Sequence, residues 1–237
     1  VYRTNCGIIN NMNISTWLKH AAEHLKNAGI TSAQLDAELL LANTLRKNRT
    51  YLHAHLDEEI DPRRVDIAEA RLSLRLDRVP LAYILGEKEF YGRNFSVSPS
   101  VLVPRPESEE MINLLLKLVP RDDQPRTLID VGTGSGCLGI TAALELPDNW
   151  HVVLSDISSK ALSVAEKNAK KLGANVFIQK QSLLLGQFEK LDCILANLPY
   201  VDKDWKNTSP ELRHEPSEAL YASEGGLKSV LDRKSVV

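Results

Sequence analysis

The chain has 237 residues, of which 43% are hydrophobic and 25% are charged, and its formal net charge at pH 7 is −2. This composition is ordinary for a globular protein, and the nearly neutral charge gives no reason to expect a nucleic-acid partner. No apolar run approaches the roughly 18–20 residues of a membrane span, so we expect no membrane partner. Three scattered cysteines argue against a disulfide framework and a metal site, and Cys137 and Cys193 are interpreted as buried reduced thiols. This cysteine usage fits the reducing cytoplasm.

Residues 13–85 predict a small bundle of helices. The first eleven residues do not resemble a signal peptide. They begin with Val rather than Met, so Met12, where the first helix opens, is an alternative to Val1 as the true start. Ser15 is a candidate N-cap for a first helix that Gly29 ends, and Asp61 followed by a proline is a strong start signal for a later helix. The arginines near that later helix are diluted by acids, so we expect them on a solvated face; they are Arg63, Arg64, Arg71, Arg75 and Arg78.

Residues 86–125 form a second segment with several prolines, glycines and aromatic residues. Phe90, Tyr91 and Phe95 alternate with polar residues, which predicts a hairpin whose aromatic side chains pack against other parts of the chain. Pro106, followed by three acids, opens a connecting helix that ends before Pro120.

Residues 126–237 begin with strands and helices in alternation. Short apolar runs from Thr127, His151, Asn175 and Leu191 predict four strands, and helical patterns separate the first three. Near-continuous apolar strands between helices indicate an α/β fold with a doubly wound, Rossmann-like parallel sheet covered on both faces.

The first of these strands runs into a glycine loop, DVGTGSG, which ends at Gly136 and opens a helix. Glycines at this position let a ligand approach the backbone closely. Asp156 ends the second strand 20 residues later, the usual place for an acid that binds ribose hydroxyls. Loop and acid together predict a ligand that contains a nucleoside. Because Gly134, Gly136 and Gly139 also satisfy the dinucleotide fingerprint, a nicotinamide cofactor and S-adenosylmethionine both stay open at this point.

The fourth strand ends in the segment ANLPYV, which supplies candidate catalytic residues. An amide or aromatic amino nitrogen is a weak nucleophile because its lone pair is delocalised, so a methyltransferase must hold its NH2 group by both hydrogens. The Asn197 side-chain carbonyl and the Pro199 backbone carbonyl can accept these hydrogens, and the Tyr200 ring can wall the substrate or attract a sulfonium. This arrangement favours methyl transfer from S-adenosylmethionine.

Five segments in order, DAELLLANTL, GEKEFYG, VLVPRPESE, DVGTGSG and ANLPYV, resemble the HemK/PrmC family. Members of this family methylate the glutamine of the Gly-Gly-Gln motif in peptide chain release factors. HEPSEALYASEGGL, residues 214–227, is similar to the family's glutamate-proline segment, so the resemblance covers about residues 13–230.

The resemblance implies a helical domain, residues 13–85, that docks the release factor, followed by a class I methyltransferase domain. It implies transfer of the methyl group of S-adenosylmethionine to the side-chain amide nitrogen of glutamine. The expected partner is therefore a release factor, and we expect a monomer that binds no nucleic acid directly.

The resemblance also assigns site residues. The cofactor would contact Gly132, Thr133, Gly134, Ser135 and Gly136 at its methionine end, Asp156 at its ribose, Leu183 near its adenine, and Asn197. The target glutamine would be held by Asn197, Leu198, Pro199 and Tyr200, with Phe95 packing on it and with Arg105 and Glu107 in a Pro-Arg-Pro-Glu loop over the site. No metal ligand is implied.

Leu198 is a departure from the family, which usually has Asn-Pro-Pro-Tyr. Because the proposed acceptors lie on Asn197 and Pro199, we expect the clamp to survive. An Asn-Leu-Pro-Tyr segment is also familiar from enzymes that methylate adenine in ribosomal RNA. An adenine amino-group methyltransferase acting on RNA or DNA is therefore the alternative, although a neutral chain is a poor match for phosphate contacts.

The segment after Gly226 is the second departure, because a complete domain of this kind would continue with three more strands. We therefore expect that C-terminal strands are missing and that the sheet has an exposed edge. A cofactor-binding module without turnover is a further alternative on this ground.

Overall fold

The computed structural model describes residues 12–120, 122–184, 190–199, 201–202 and 209–222. The chain separates into two units, residues 1–85 and 86–237. Each unit has a hydrophobic core of its own. Across these described ranges, no helix has both the length and the apolar character needed to cross a membrane.

The first unit is helical, as predicted. It contains α1 (Ile14–Asn27), α2 (Ala33–Leu45), α3 (Arg49–Ala54), α4 (Pro62–Leu76) and α5 (Leu81–Leu85). Fully buried side chains, among them Trp17, Leu25, Leu40 and Leu52, form its core.

Capping side chains set the helix starts in this unit. Asn13, not Ser15, caps α1, since its Oδ1 accepts a hydrogen bond of 2.8 Å from the Thr16 N–H. The Ser15 prediction was wrong because this serine lies inside the first turn. The Asp61 prediction is confirmed: its Oδ1 accepts from the Arg63 N–H at 2.9 Å. Gly29, with φ of 74°, follows the end of α1 in the left-handed conformation that glycine favours.

Arg63 is exposed, as predicted, but the other three arginines of α4 differ from the predicted solvated face. Arg75 is only 7% exposed, and its Nε donates to Asp36 Oδ2 at 2.7 Å. Arg64 donates to the Thr44 carbonyl at 2.8 Å, and Arg71 donates to the Thr44 hydroxyl at 2.7 Å. Because burying an unpaired charge is costly, the buried guanidinium of Arg75 needs such a partner. These bonds tie α4 to α2.

The second unit begins with the predicted hairpin. Strands β1 (Glu87–Phe90) and β2 (Arg93–Ser96) pair antiparallel, and a 3-10 turn, Pro106–Ser108, leads into α6 (Glu109–Leu118). Phe90 and Phe95 meet edge to face at 6.1 Å between ring centroids, and both are buried in the core of the second unit. The segment from residue 86 therefore packs as part of this unit.

The second unit also holds a four-stranded parallel sheet. Its strands are β3 (Arg126–Val131), β4 (Trp150–Asp156), β5 (Phe177–Lys180) and β6 (Cys193–Ala196), in the order β5-β4-β3-β6, with α7 (Cys137–Glu145) and α8 (Ser159–Leu172) between strands. The strand order reverses between β3 and β6, which opens a crevice at their carboxyl ends. The predicted doubly wound fold is confirmed.

Coverage of the sheet is less complete than predicted. The strand β3 is largely buried, whereas every residue of β5 is exposed among the described parts of the chain, with Phe177 at 60%. Farther on, β7 (Val201–Asp202) pairs in parallel with β8 (Tyr221–Ala222), which follows α9 (Ser217–Leu220). The expectation of missing C-terminal strands concerns positions outside the described residues and stays a prediction.

Candidate active site

A cavity of about 570 Å³ lies at the carboxyl ends of β3, β4 and β6. Its lining includes the end of β3 and the glycine loop (130–135), the end of β4 (156–158), residues 181–183, the tip of β6 (197–199), residues 99–105, Ser108 and residues 216–219. The sheet topology thus brings separate parts of the chain to one site.

The glycine loop has the backbone conformation that its sequence predicts. Gly132 and Gly134 have φ of 70° and 55°, in the left-handed region that side chains avoid. The N–H groups of Gly132 and Thr133 both donate to the Ser155 carbonyl at 2.9 Å, which anchors the loop to the end of β4. Ser135 also lines the cavity.

Two further glycines serve packing. A Cβ at Gly136 would lie 2.6 Å from Ile140 Cδ1 and 3.2 Å from Ala165 Cβ, and one at Gly139 would collide with Leu154 Cδ2. The absence of a side chain at these two positions lets α7 start close to α8 and β4. Gly136 is absent from the cavity lining, so its predicted cofactor contact has no support from the cavity and stays a prediction.

Asp130 is a site residue to which the sequence reasoning gave no role. Its side chain is buried, and its Oδ2 accepts from the Thr133 hydroxyl at 2.6 Å and from the Gly139 N–H at 2.9 Å. Burial raises the pKa of Asp130 to about 6, and the nearby Asp156 carboxylate adds to this rise. An acid at the end of the strand before a glycine loop was the signal available in the sequence.

Asp156 lies at the tip of β4, as predicted, and lines the cavity. Its Oδ2 accepts from the Gly134 N–H at 3.0 Å, and its Oδ1 accepts from the Ser158 N–H at 2.8 Å. The carboxylate therefore faces the glycine loop, at the edge where a doubly wound sheet holds a ribose.

Gln181 and Leu183 form another wall of the cavity. The Gln181 Nε2 donates to the Leu183 carbonyl at 3.0 Å, whereas its Oε1 is buried without a hydrogen-bond partner among the described residues. A buried acceptor without a donor is unfavourable, and the amino group of an adenine is a donor that would satisfy it. With the glycine loop and Asp156, this orphaned oxygen fits an adenosyl ligand.

Asn197 follows the last residue of β6 and lines the cavity with Leu198 and Pro199. Its backbone neighbour Ala196 pairs with Val131, the last residue of β3, so Asn197 and the glycine loop start side by side. A Cβ on Gly132 would lie only 3.1 Å from Leu198 Cδ2, which shows how closely the two segments approach.

Asn197 also has a polar contact that sequence reasoning did not find. Its Nδ2 donates to Ser108 Oγ at 3.2 Å. Tyr200, the fourth residue of the predicted clamp, lies outside the described residues.

Arg105 lines the cavity through a loop that is held in place by Glu215. Arg105 Nη2 donates to Glu215 Oε1 at 2.7 Å, and the Val103 N–H donates to Glu215 Oε2 at 3.1 Å. The Glu215 side chain is 2% exposed, whereas that of Arg105 is 37% exposed, so a buried carboxylate accepts a charge-assisted bond from a partly solvated guanidinium. This contact joins the Pro-Arg-Pro-Glu loop to the glutamate-proline segment.

Two other predicted substrate contacts are not brought to the cavity. Phe95 is fully buried in the core, and Glu107 is exposed; neither is part of the cavity lining. Their contact with a glutamine stays a prediction.

Cys137 lines the cavity but is a poor nucleophile, because burial raises the pKa of its thiol to about 12. In the parts of the chain that the structure describes, no three histidine, cysteine or acidic side chains come together as a metal site. The polar groups of the cavity are hydrogen-bond donors and acceptors suited to binding and orientation.

Comparisons with known proteins agree with this geometry. Residues 16–86 match the PrmC N-terminal domain family, and residues 109–235 match the methyltransferase small domain family. The release factor glutamine methyltransferase of Bacillus anthracis is 36% identical over 95% of this chain and 85% of its own. That of Koribacter versatilis is 40% identical over 87% of this chain and 75% of its own.

Among solved structures, the hMettl16 catalytic domain in complex with MAT2A 3′UTR hairpin 1 is 16% identical, with a TM-score of 0.49 over 78% of this chain and 67% of that one. The family assignment does not depend on this likeness. With both domain matches in order, and with relatives that are 36% and 40% identical over at least three quarters of their length, the chain belongs to the family of release factor glutamine methyltransferases.

Proposed function

We propose that this chain methylates the side-chain amide nitrogen of the glutamine in the Gly-Gly-Gln motif of a peptide chain release factor. The observation that carries the proposal is the position of Asn197, which lies beside the glycine loop in one cavity. The relatives are named for this substrate class, which supports the proposal.

S-adenosylmethionine is the cofactor of this methyltransferase, and it supplies a methyl group on a sulfonium sulfur. The nicotinamide alternative, which the glycine pattern alone left open, is set aside by the family. Gly132 and Gly134 would admit the methionine part close to the backbone, Asp156 would accept from the ribose hydroxyls, and Gln181 with Leu183 would enclose the adenine.

The clamp acts on the weakly nucleophilic amide. The Asn197 carbonyl oxygen and the Pro199 backbone carbonyl would accept the two hydrogens of the glutamine NH2 group, which orients the nitrogen lone pair and excludes water. Fixed acceptors cost no reorganisation when positive charge develops on the nitrogen during transfer. Leu198 contributes neither acceptor, so its replacement of a proline is compatible with this role.

We also propose that the helical unit docks the release factor and that the enzyme works as a monomer in the cytoplasm. The match of residues 16–86 to a family-specific N-terminal domain supports the docking role. A monomer is consistent with a cavity formed by residues of one chain.

The test is transfer of tritiated methyl from S-adenosylmethionine to an unmodified release factor, beside a release factor whose Gly-Gly-Gln glutamine is replaced. We expect label only in the protein that keeps the glutamine. When RNA or DNA is offered to the same preparation in place of the release factor, label in the nucleic acid would support the adenine methyltransferase. Cofactor binding without transfer to any of these substrates would support a binding module.

Asn197→Ala tests the clamp. We expect it to abolish transfer while cofactor affinity, measured by calorimetry with S-adenosylhomocysteine, changes by no more than a few-fold. The matched control is Asn94→Ala, an exposed asparagine on the hairpin, which should keep normal activity. Normal transfer by the Asn197 variant would show that the clamp is wrong.

A further inference from the structure

The Asn197 side chain can be oriented in two ways, and only one of them serves the proposed clamp. Its amide has a donating NH2 end and an accepting carbonyl end, which differ little in shape. If the amide turned over, its NH2 group would face the glutamine NH2 group, and two donors would oppose each other. The clamp therefore needs the Asn197 amide to be held in place with its carbonyl end toward the substrate.

Ser108 supplies such a contact. Its hydroxyl oxygen accepts from Asn197 Nδ2 at 3.2 Å, across 89 positions of the chain. Ser108 is 9% exposed and lines the same cavity as Asn197. With its NH2 end bound to Ser108, Asn197 has its carbonyl end available as an acceptor. Because a hydroxyl can also donate, Ser108 immobilises the amide, and the substrate NH2 group, which needs an acceptor, favours the carbonyl end.

Ser108 occupies a position where a serine side chain usually caps a helix, yet its hydroxyl contacts Asn197 instead. Ser108 immediately precedes α6, where a serine hydroxyl ordinarily accepts from an N–H group of its own helix. Here Ser108 makes no such capping bond, because the preceding residues form a 3-10 turn and its backbone is already helical. The hydroxyl is thus directed to Asn197 and gives nothing to the start of α6.

We infer that Ser108 is a positioning residue, whose hydroxyl holds the Asn197 side chain in place at the cavity wall, with its carbonyl oxygen available to the substrate amide. The inference rests on the proposed function for its catalytic consequence, whereas the contact itself is a property of the enzyme alone. Because Ser108 acts through Asn197, its loss should disturb how the Asn197 amide is held and should remove no direct contact with the substrate.

Kinetics with a release factor form the first test. Ser108→Ala should lower kcat about tenfold, the order expected when one fixed hydrogen bond in an oriented site is lost. KM for the release factor and the affinity for S-adenosylhomocysteine should stay within about twofold, because binding surface is kept. Ser108→Thr keeps the hydroxyl and should restore most of kcat. Ser98→Ala, a partly exposed serine of the same unit, is the matched control.

A second measurement needs no substrate. The side-chain amide of Asn197 gives a pair of proton–nitrogen NMR signals, which are assigned by their loss in Asn197→Ala. We expect one proton of the pair to be shifted downfield and to exchange slowly in the wild type and in Ser108→Thr, but not in Ser108→Ala. Unchanged Asn197 signals in Ser108→Ala would overturn the inference, whether or not the wild type methylates a release factor. Absence of transfer by the wild type would instead count against the proposed function alone.

Discussion

At the scale of single residues, Asp130 shows how one buried acid can organise a ligand loop. Two donors, the Thr133 hydroxyl and the Gly139 N–H, converge on its Oδ2, so the loop and the start of α7 are bound to the end of β3. The cost is a carboxylate in a dry environment, which is why the pKa of Asp130 rises to about 6.

Asp130→Asn should change the pH dependence of stability. As pH rises from about 4 to 6, the unfolded chain releases this proton while the folded protein keeps it, so the folded wild type loses stability across this window. An asparagine oxygen can accept both hydrogen bonds without the charge. We therefore expect the variant to match the wild type near pH 4 and to exceed it above pH 6, by up to about 3 kcal/mol.

Calorimetric Tm values of both proteins from pH 4 to pH 7 check this prediction, because other titrating groups cancel in the difference. Asp148→Asn, at an exposed acid, should show no such growth with pH. A difference for Asp130→Asn that does not change with pH would contradict the argument.

Gly136→Ala and Gly173→Ala separate backbone strain from crowding. Both glycines have positive φ, 82° and 71°, but only at Gly136 would a Cβ meet neighbouring atoms. Gly173→Ala should cost about 1–2 kcal/mol of unfolding free energy from the left-handed backbone alone. Gly136→Ala should cost about 1–3 kcal/mol more, from overpacking. Urea unfolding measures both, and equal losses would show that crowding at Gly136 is relieved.

At the scale of elements, the fold brings the carboxyl ends of several strands to one edge of the sheet and then braces a loop over them. The brace is Glu215, which accepts from Arg105 and from the Val103 N–H. Because its side chain is almost fully buried, this pair differs from an exposed ion pair, which typically contributes less than about 1 kcal/mol.

Glu215→Ala should therefore loosen the loop. The substitution leaves the Val103 N–H and the Arg105 guanidinium without their buried acceptor, a cost of about 1–3 kcal/mol. Hydrogen exchange at the Val103 amide should become faster by at least tenfold. The control is Glu145→Ala, which removes the ion-pair partner of Arg93. Glu145 is more exposed than Glu215, and its loss should leave Val103 exchange unchanged. Slow exchange at Val103 in Glu215→Ala would mean that the brace is unnecessary.

At the scale of the whole molecule, the chain consists of two units with separate hydrophobic cores. The core of the helical unit is built around Trp17, which is fully buried and whose Nε1 donates to Glu69 Oε1 at 2.7 Å. The cofactor cavity lies entirely in the second unit. Damage to the core of the helical unit is therefore expected to impair the proposed docking of the release factor more than the binding of the cofactor.

Trp17→Ala tests this separation in the full chain. Removing a buried aromatic side chain costs about 3–5 kcal/mol, which should unfold or loosen the helical unit. We expect lower helical circular dichroism and loss of release factor methylation, with S-adenosylhomocysteine affinity unchanged within a few-fold. A fall in cofactor affinity beyond tenfold would show that the two cores are coupled.

Much of this architecture could be predicted from local sequence patterns. Apolar runs separated by helical patterns predicted the parallel sheet, and the alternating aromatics around Phe90 predicted the hairpin, because the repeat of buried side chains follows backbone geometry. N-caps were predicted less well. The Asp61 cap was confirmed, but Asn13 caps α1 where Ser15 was predicted, since neighbouring polar residues compete for the same N–H groups.

The sequence by itself determined the alternation of strands and helices, the glycine loop, the acid at the tip of β4 and the Asn197 segment, because each depends on residues that are close together in the chain. Only the tertiary structure decided how distant polar groups pair. It joined Ser108 to Asn197 and Glu215 to Arg105, buried Phe95 and Arg75, and turned Asp130 toward the glycine loop. Such pairings depend on which side chains share a dry environment, and this is settled by packing between segments that are far apart in the chain.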